Sequence, residues 1–371
     1  MSRTALRIAL TSTHAWPDVR RGGERYLHEL GAALAGRGHD VTIVTTGRAP
    51  GRDRQLGVDV TRLQRRHRGQ RWLGGFWAPH VWFGLDVRRH LRQDPPDVWH
   101  AFTIGDGAAA TTLPGVASVY THLGPGPIAP DVPWPIGGLH RRVSRKVDAY
   151  LCLSAAVQRR LRESTGRTST VVGGGVDLAR FRPCAPREHR PTVLFASDVN
   201  QPWKNADLLL EACALLRARL PELQLWFVGP GDVDALVDRH PTMADLVTRR
   251  SRSSAHELGA DYSRAWVTAQ PSTGEAFGLV ALESLACGTP AVGLVGEGPA
   301  DFLDASVGAL AEGNPDSLAD ALESALNLSS KHDTVARCRG RAREHDWHTV
   351  VAPRVEEIYL RLLGDHVANG R

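Results

Sequence analysis

The feature that most constrains the fold is an alternation of strand-like and helix-like segments that runs through the chain twice. Residues 5–17, ALRIALTSTHAWP, form an apolar run that stops at polar residues and a proline, as a buried parallel strand does. Residues 22–38, GGERYLHELGAALAGRG, place Tyr26, Leu27, Leu30, Ala33 and Leu34 at helical spacing, with Gly38 as a stop signal. Residues 40–46, DVTIVTT, read as a second, β-branched strand, which completes a strand–helix–strand unit of a parallel sheet. DVWHAF, ASVYTHLG and AYLCLS continue the strands. Residues 182–191, RPCAPREHRP, hold three prolines and no apolar periodicity, and a domain boundary is expected there. The alternation then restarts with TVLFAS, the amphipathic helix ADLLLEACALLRARLP, LQLWFVGPGD, AWVTAQPS, TPAVGL and the helix PDSLADALESALN. The expected class is α/β, with two Rossmann-like domains over residues 1–183 and 190–345. A C-terminal helix in residues 346–371 is expected to pack back on the first domain. Ligands of such folds bind at the carboxyl ends of strands, so two facing halves would hold a ligand in the cleft between them.

A length of 371 residues accommodates two domains, and 42% hydrophobic with 23% charged residues is a globular balance. Apolar runs fall short of the ~20 residues that span a bilayer, and Arg3 and Arg7 around Ile8–Leu10 read as a first strand rather than a signal peptide. Five widely spaced cysteines without a CxxC indicate neither a zinc site nor a disulfide framework, and a reducing cytoplasm fits. The net charge of +5 arises from 42 Arg and only three Lys, Lys146, Lys204 and Lys331, against 40 acids. Such a surplus raises nucleic acid or an anionic membrane as partner. No nucleic-acid motif is present. Residues 52–72 hold seven Arg against two Asp, and Trp72, Phe76, Trp77, Trp82 and Phe83 follow. This stretch, residues 52–83, could touch a membrane and a lipid acceptor, line a polar pocket, or be a solvated face beside a packed helix.

The chemically most specific segment is residues 271–293, PSTGEAFGLVALESLACGTPAVG. It reads as a strand end, a tight turn at Gly274, and a helix beginning near Phe277 and closed by Gly288. The amides of Phe277, Gly278 and Leu279 would be unpaired in the first turn and would favour an anion such as phosphate. Glu275 and Glu283 flank that position. Taken alone, the two glutamates read first as a helix-start acid and a buried capping partner.

The surrounding residues are similar to the E-x7-E signature of the retaining nucleotide-sugar glycosyltransferases, in particular glycosyltransferase family 4 of the two-domain GT-B fold. The resemblance covers nearly the whole chain. The run Arg20–Arg25 resembles the family's N-terminal glycine-rich loop. PDVWHAF and YTHLG resemble its His-ended strands, VDAYLCLSAAVQRRL its strand–Ser–helix, and GGGVDLARFRP its G-V-D-x-x-x-F-x-P run. The resemblance implies that Glu283 holds the ribose hydroxyls and Glu275 the hydroxyls of the transferred sugar. It implies that the amides of Phe277, Gly278 and Leu279 hold phosphate or sugar, and that Gly22 and Gly23 let the backbone approach the donor phosphates. Lys204 falls where the family places a lysine that stabilises the leaving diphosphate, and His122 matches a strand-end His near donor sugar and acceptor.

Three positions depart from the family. Ser197-Asp198 stands where Gly-Arg is usual, six residues before Lys204. An inward-facing Asp would repel phosphate by several kcal/mol across roughly 4 Å. Three readings stay open: a nearby Arg substitutes, the donor binds differently, or activity is lost. In the loop GEGPADF, Asp301 or Glu297 stands in for the family's acid. Gly174 replaces an Asn before Gly175-Val176-Asp177, which makes Gly175 a further candidate. The resemblance implies a retaining transfer with no metal and no cofactor beyond the nucleotide-diphosphate sugar, and with the acceptor on the first domain. Base choice is expected to depend on the loop Thr248–Ser254. The modified phosphate region leans towards tailoring of a small secondary metabolite. A glycolipid or cell-envelope polysaccharide transferase and a non-catalytic relative are the alternatives.

Overall fold

The computed structural model describes residues 5–16, 18, 19, 21–65, 78–124, 136–250 and 255–368. The chain divides into two compact units, one of residues 1–175 with 347–371 and one of residues 176–346.

The first unit is built on β1 (Arg7–Thr11), β2 (Asp40–Gly47), β3 (Gly51–Gln55), β4 (Val58–Gln64), β5 (Val98–Ala101), β6 (Ala117–His122), β7 (Ala149–Cys152) and β8 (Thr170–Val171). Their order is β3-β4-β2-β1-β5-β6-β7-β8, and every pairing is parallel except β3 with β4. Ile8 pairs with Val41 on one side and Val98 on the other, so the strand order reverses at β1. The β3–β4 hairpin lies inside the basic stretch, one reading of which was a solvated face beside a packed helix. It turns at Leu56 and Gly57, whose φ values of 49° and 80° are the two positive angles of a tight hairpin turn. The alternation Val58-Asp59-Val60 buries both valines and exposes Asp59.

The second unit holds β9 (Thr192–Phe195), β10 (Gln224–Val228), β11 (Val247–Arg250), β12 (Val267–Ala269), β13 (Ala291–Leu294) and β14 (Gly308–Ala311). The order is β11-β10-β9-β12-β13-β14, wholly parallel. Its core joins Phe195 and Phe227, rings 5.4 Å apart, to Leu209, Leu210 and Leu216 of helix Ala206–Arg219 and Leu318 and Leu322 of helix Pro315–Ser329. Here the strand order reverses between β9 and β12, and the loops leaving these two strands are brought together at one edge.

The division falls at Gly175 and Val176, ahead of the proline-rich run expected to be the boundary. Residues of that run are tied to the second unit. Cys184 N donates to Ser263 Oγ at 3.2 Å, Glu188 N to Arg264 O at 2.9 Å and Arg187 Nη2 to Gly288 O at 3.0 Å, while Phe181 packs on Tyr262. Prolines remove amide donors and so signal a boundary, but a short linker can still be held by its remaining amides and its side chains.

Candidate functional site

In the second unit the loop after β9 is a hydrogen-bonded turn. Asp198 Oδ1 accepts from Asn200 N at 3.0 Å and Oδ2 from Gln201 Nε2 at 3.2 Å. Asn200 Oδ1 accepts from Asp232 N at 2.9 Å, and Val199 N donates to Pro230 O at 3.2 Å, so the loops after β9 and β10 are laced together. Gly229 permits this approach, since a Cβ there would lie 2.7 Å from Ser197 O.

The chain then makes one 3-10 turn, Pro202–Lys204, and enters helix Ala206–Arg219 through Asn205 at φ 54°. Asn is among the few residues that tolerate this left-handed conformation. Asn205 Nδ2 donates to Pro271 O at 2.7 Å, and Thr273 N donates to Trp203 O at 2.9 Å. These bonds fix the turn against the loop that leaves β12. They bring Lys204 Nζ to 2.8 Å from Glu275 Oε2, with the two side chains 22% and 16% exposed. Glu275 N in turn donates to Glu297 Oε2 at 2.9 Å, and Gly298 N to Glu275 O at 2.9 Å. Glu297 rather than Asp301 therefore holds the Glu275 loop; Asp301 is exposed at the end of the 3-10 turn Gly298–Asp301.

The expected helix starts later than Phe277. It spans Leu279–Ala286, with Gly278 before it at φ 102°. A Cβ at Gly278 would lie 2.6 Å from Pro299 Cγ, so the position requires glycine on two counts. Phe277 is buried against Phe302 and His345, ring centroids 5.2 and 5.5 Å away. Among the described residues the amides of Phe277, Gly278 and Leu279 donate no hydrogen bond, whereas Ala281 N is capped by Gln270 Oε1 at 3.0 Å. Glu283, 2% exposed on this helix, accepts from Tyr262 OH at 3.0 Å and is not a cap. A cationic nitrogen, a row of unpaired amides and two carboxylates thus share the edge of this sheet, a set suited to an anion with hydroxyls attached.

In the first unit, helix Gly22–Gly36 opens on Gly22 and Gly23 with Arg21 extended before it. A Cβ at Gly23 would meet Leu123 Cδ1 at 3.2 Å, so the helix start lies against the residue that follows β6. His122, the last residue of that strand, has a buried Nδ1 without a partner among the described residues. Burial, helped by nearby His140, pushes its pKa down to about 4, which keeps the ring neutral at physiological pH. Gly23 therefore lies beside the residue that follows His122, at the carboxyl edge of the first sheet. Gly175 does something different. A Cβ there would fall 2.3 Å from Trp347 Cδ2, so it makes room for an indole whose Nε1 donates to Glu29.

Two family models cover the chain almost end to end. The model described as "Glycosyltransferase Family 4" matches residues 20–180, and "Glycosyl transferases group 1" matches residues 180–345. The chain belongs to glycosyltransferase family 4.

This family 4 chain is 30% identical over 243 residues to a phosphatidyl-myo-inositol mannosyltransferase of Mycolicibacterium smegmatis, a match that spans 61% of each protein. It is 28% identical over 357 residues to a GDP-mannose-dependent alpha-(1-6)-phosphatidylinositol dimannoside mannosyltransferase of Mycobacterium tuberculosis, over 90% of this chain and 91% of the relative. Its fold is GT-B. It resembles the sucrose-phosphate synthase of Thermosynechococcus elongatus with a TM-score of 0.78 at 21% identity, over 96% of this chain and 99% of the other.

The family 4 resemblance did not point to Asn205, Gln270 or Tyr262, which position the lysine, the helix and Glu283. Only Asn205 left a signal, an Asn directly before a helical pattern. Of the loop Thr248–Ser254, Thr248–Arg250 end β11, where the Arg250 guanidinium lies 4.1 Å from the Trp226 ring and 2.8 Å from Asp261; residues 251–254 fall outside the described residues. Arg20, Trp72, Phe76 and Trp77 also fall outside them. Among the described residues no group of three or more His, Cys, Asp or Glu could hold a metal ion.

Proposed function

We propose that this chain is a retaining, metal-independent glycosyltransferase that moves a sugar from a nucleotide-diphosphate sugar to a membrane glycolipid of the phosphatidylinositol type. The observation that carries the reading is the Lys204–Glu275 pair at the amide-lined start of helix Leu279–Ala286. The bond from the anomeric carbon to the diphosphate breaks and its electron pair leaves on the phosphate oxygen. The acceptor oxygen bonds to the same carbon from the same face, and its proton passes to the departing diphosphate. Lys204 and the amides of Phe277, Gly278 and Leu279 stabilise the charge that develops there. Glu275 holds sugar hydroxyls, Glu283 the ribose, and neutral His122 offers a hydrogen bond near the reacting sugar.

The lipid acceptor replaces the small metabolite that the modified phosphate loop suggested. Two things support the change. The relatives act, by name, on phosphatidylinositol lipids. Asp198 is bonded within its own turn, so it gives no sign of an unusual donor. Among the described residues no helix is long and apolar enough to cross a membrane, and peripheral contact would bring the enzyme to such an acceptor.

The test is nucleoside-diphosphate release from GDP-mannose and UDP-glucose with detergent-dispersed phosphatidylinositol, with and without EDTA, and the anomeric configuration of the product by NMR. Turnover that needs a small soluble acceptor, inverts the anomeric carbon or stops with EDTA would overturn the corresponding part of this reading.

A further inference from the structure

Three helices of the first unit, Ala78–Leu91, Ile104–Ala110 and Ile136–Lys146, form a groove of about 280 Å³. Its floor is made by close backbone approach. A Cβ on Gly84 would lie 2.3 Å from Gly105 O, and one on Gly105 1.8 Å from His80 O. Val81, Leu85, Ala108, Ala109 and Leu139 line it, and Leu85 is 55% exposed. Leu85 carries this apolar lining out to solvent.

Two arginines border the same groove, and both are held by side chains. Arg88 Nε donates to Thr112 Oγ1 at 2.7 Å, and Arg142 Nε to Thr111 Oγ1 at 2.8 Å. Each threonine hydroxyl donates onward to a carbonyl of helix Ile104–Ala110, Thr111 to Ala108 O at 2.8 Å and Thr112 to Ala109 O at 2.7 Å. Two guanidinium groups are thereby tied to consecutive residues through Nε, and no acid pairs with either among the described residues. Helix Ile136–Lys146 adds Arg141, Arg145 and Lys146 and contains no acid. The basic stretch before these helices differs. Arg62 is paired with Asp53 and Asp18, and Arg54 lies 3.8 Å from Asp59, so the hairpin neutralises much of its own charge.

We propose that this groove is a docking site for an anionic phospholipid, with the phosphate bridging Arg88 and Arg142 and an acyl chain along the apolar floor. Charge complementarity selects the occupant, because a plain apolar partner would leave two fixed guanidinium groups without counter-charge. The site deepens the glycolipid reading above and rests on it only for its purpose, delivery of the enzyme to a membrane acceptor.

Flotation with phosphatidylcholine vesicles, with and without phosphatidylglycerol, tests it directly. The parent protein should float only with the anionic vesicles. The pair Arg88→Ala with Arg142→Ala should lower the partition coefficient about 30-fold, from roughly fivefold for each of the two basic residues. Thr111→Val with Thr112→Val keeps both charges but frees Nε, and should lower it by several-fold. Thermal melts check that these variants remain folded. Binding by the arginine variant within about threefold of the parent, equal binding to neutral vesicles, no flotation of the parent, or a dimer that the arginine variant abolishes would each overturn the proposal. Nucleoside-diphosphate release with detergent-dispersed acceptor is measured in parallel. A parent that turns over but does not float refutes the docking site alone, and one that floats but never turns over refutes the functional reading alone.

Discussion

Replacing Lys204 by alanine separates a catalytic role for the Lys204–Glu275 pair from a structural one. The pair is 2.8 Å long with both side chains about one-fifth exposed. Its loss should lower stability by about 1 kcal/mol, the upper end for a solvent-accessible ion pair. In a unit of this size that moves the melting temperature by roughly 2–4 °C. The leaving diphosphate is a different matter. Loss of one preorganised donor to a developing oxyanion removes about 3–4 kcal/mol of transition-state stabilisation, a fall of roughly 100- to 1,000-fold in kcat. Steady-state nucleoside-diphosphate release at saturating donor, alongside a calorimetric melt, reads both numbers. Glu275→Gln keeps the shape and removes the charge, and is expected to raise the donor KM as well as lower kcat. A Lys204→Ala enzyme with kcat within about threefold of the parent, or an activity loss that merely tracks unfolding, would refute the assignment.

Gly278→Ala should destabilise by about 3 kcal/mol, from left-handed backbone strain at φ 102° and a Cβ 2.6 Å from Pro299 Cγ; an unchanged melt would contradict that geometry. Asp198→Ala should lower stability by roughly 1–2 kcal/mol through loss of the bonds from Asn200 and Gln201, without tightening nucleoside-diphosphate binding by titration calorimetry; a clear gain in affinity would mean that the carboxylate faces phosphate. Asp106 is buried, accepts from Thr11 Oγ1 at 2.5 Å, and has its pKa pushed up from 3.8 to about 7 by desolvation. The folded state then holds a proton that the unfolded state has released. This group's contribution is therefore most favourable below pH 3.8 and is lost as pH rises towards 7. Relative to the parent, Asp106→Asn should gain up to about 4 kcal/mol between those limits, and a pH-independent difference in urea midpoints would disprove it.

Much of this molecule is written locally. Strand β1, helix Gly22–Gly36 and helix Pro315–Ser329 were legible because apolar spacing and stop signals agree over many residues. The start of the site helix was not legible. Phe277 fits a helical pattern, but it is drawn into the core against Phe302 and His345, and Gly278 then turns the chain. Glu275, Lys204 and Glu283 could be named from their motif, yet no motif says that Tyr262 holds Glu283 or that Asn205 reaches Pro271. Those partners are 21 and 66 residues away; helix Ala255–Arg264 packing on helix Leu279–Ala286 brings the first near, and the crossing of two loops at a reversal of strand order the second. The role of Asp198 was hidden for the opposite reason. Its partners lie two and three residues away, but a side chain that caps its own turn and one that faces a ligand have the same sequence.

The first unit is not continuous in the chain, and this orders its assembly on the ribosome. Everything from Val176 to Asp346 is made and can fold before the first unit is complete. Until Trp347 arrives, Gly175 and Tyr26 line an empty socket, since the indole packs 5.0 Å from the Tyr26 ring. His100 likewise waits for Tyr359 OH, 2.5 Å from its Nδ1, and His39 for Glu356 Oε1 at 3.0 Å. At about 5–20 residues per second the delay is on the order of ten seconds or more, during which His39 has only Leu6 N and His100 only Thr121 Oγ1 of the partners they hold in the finished unit. The chain's last helix acts as the latch that closes its oldest part.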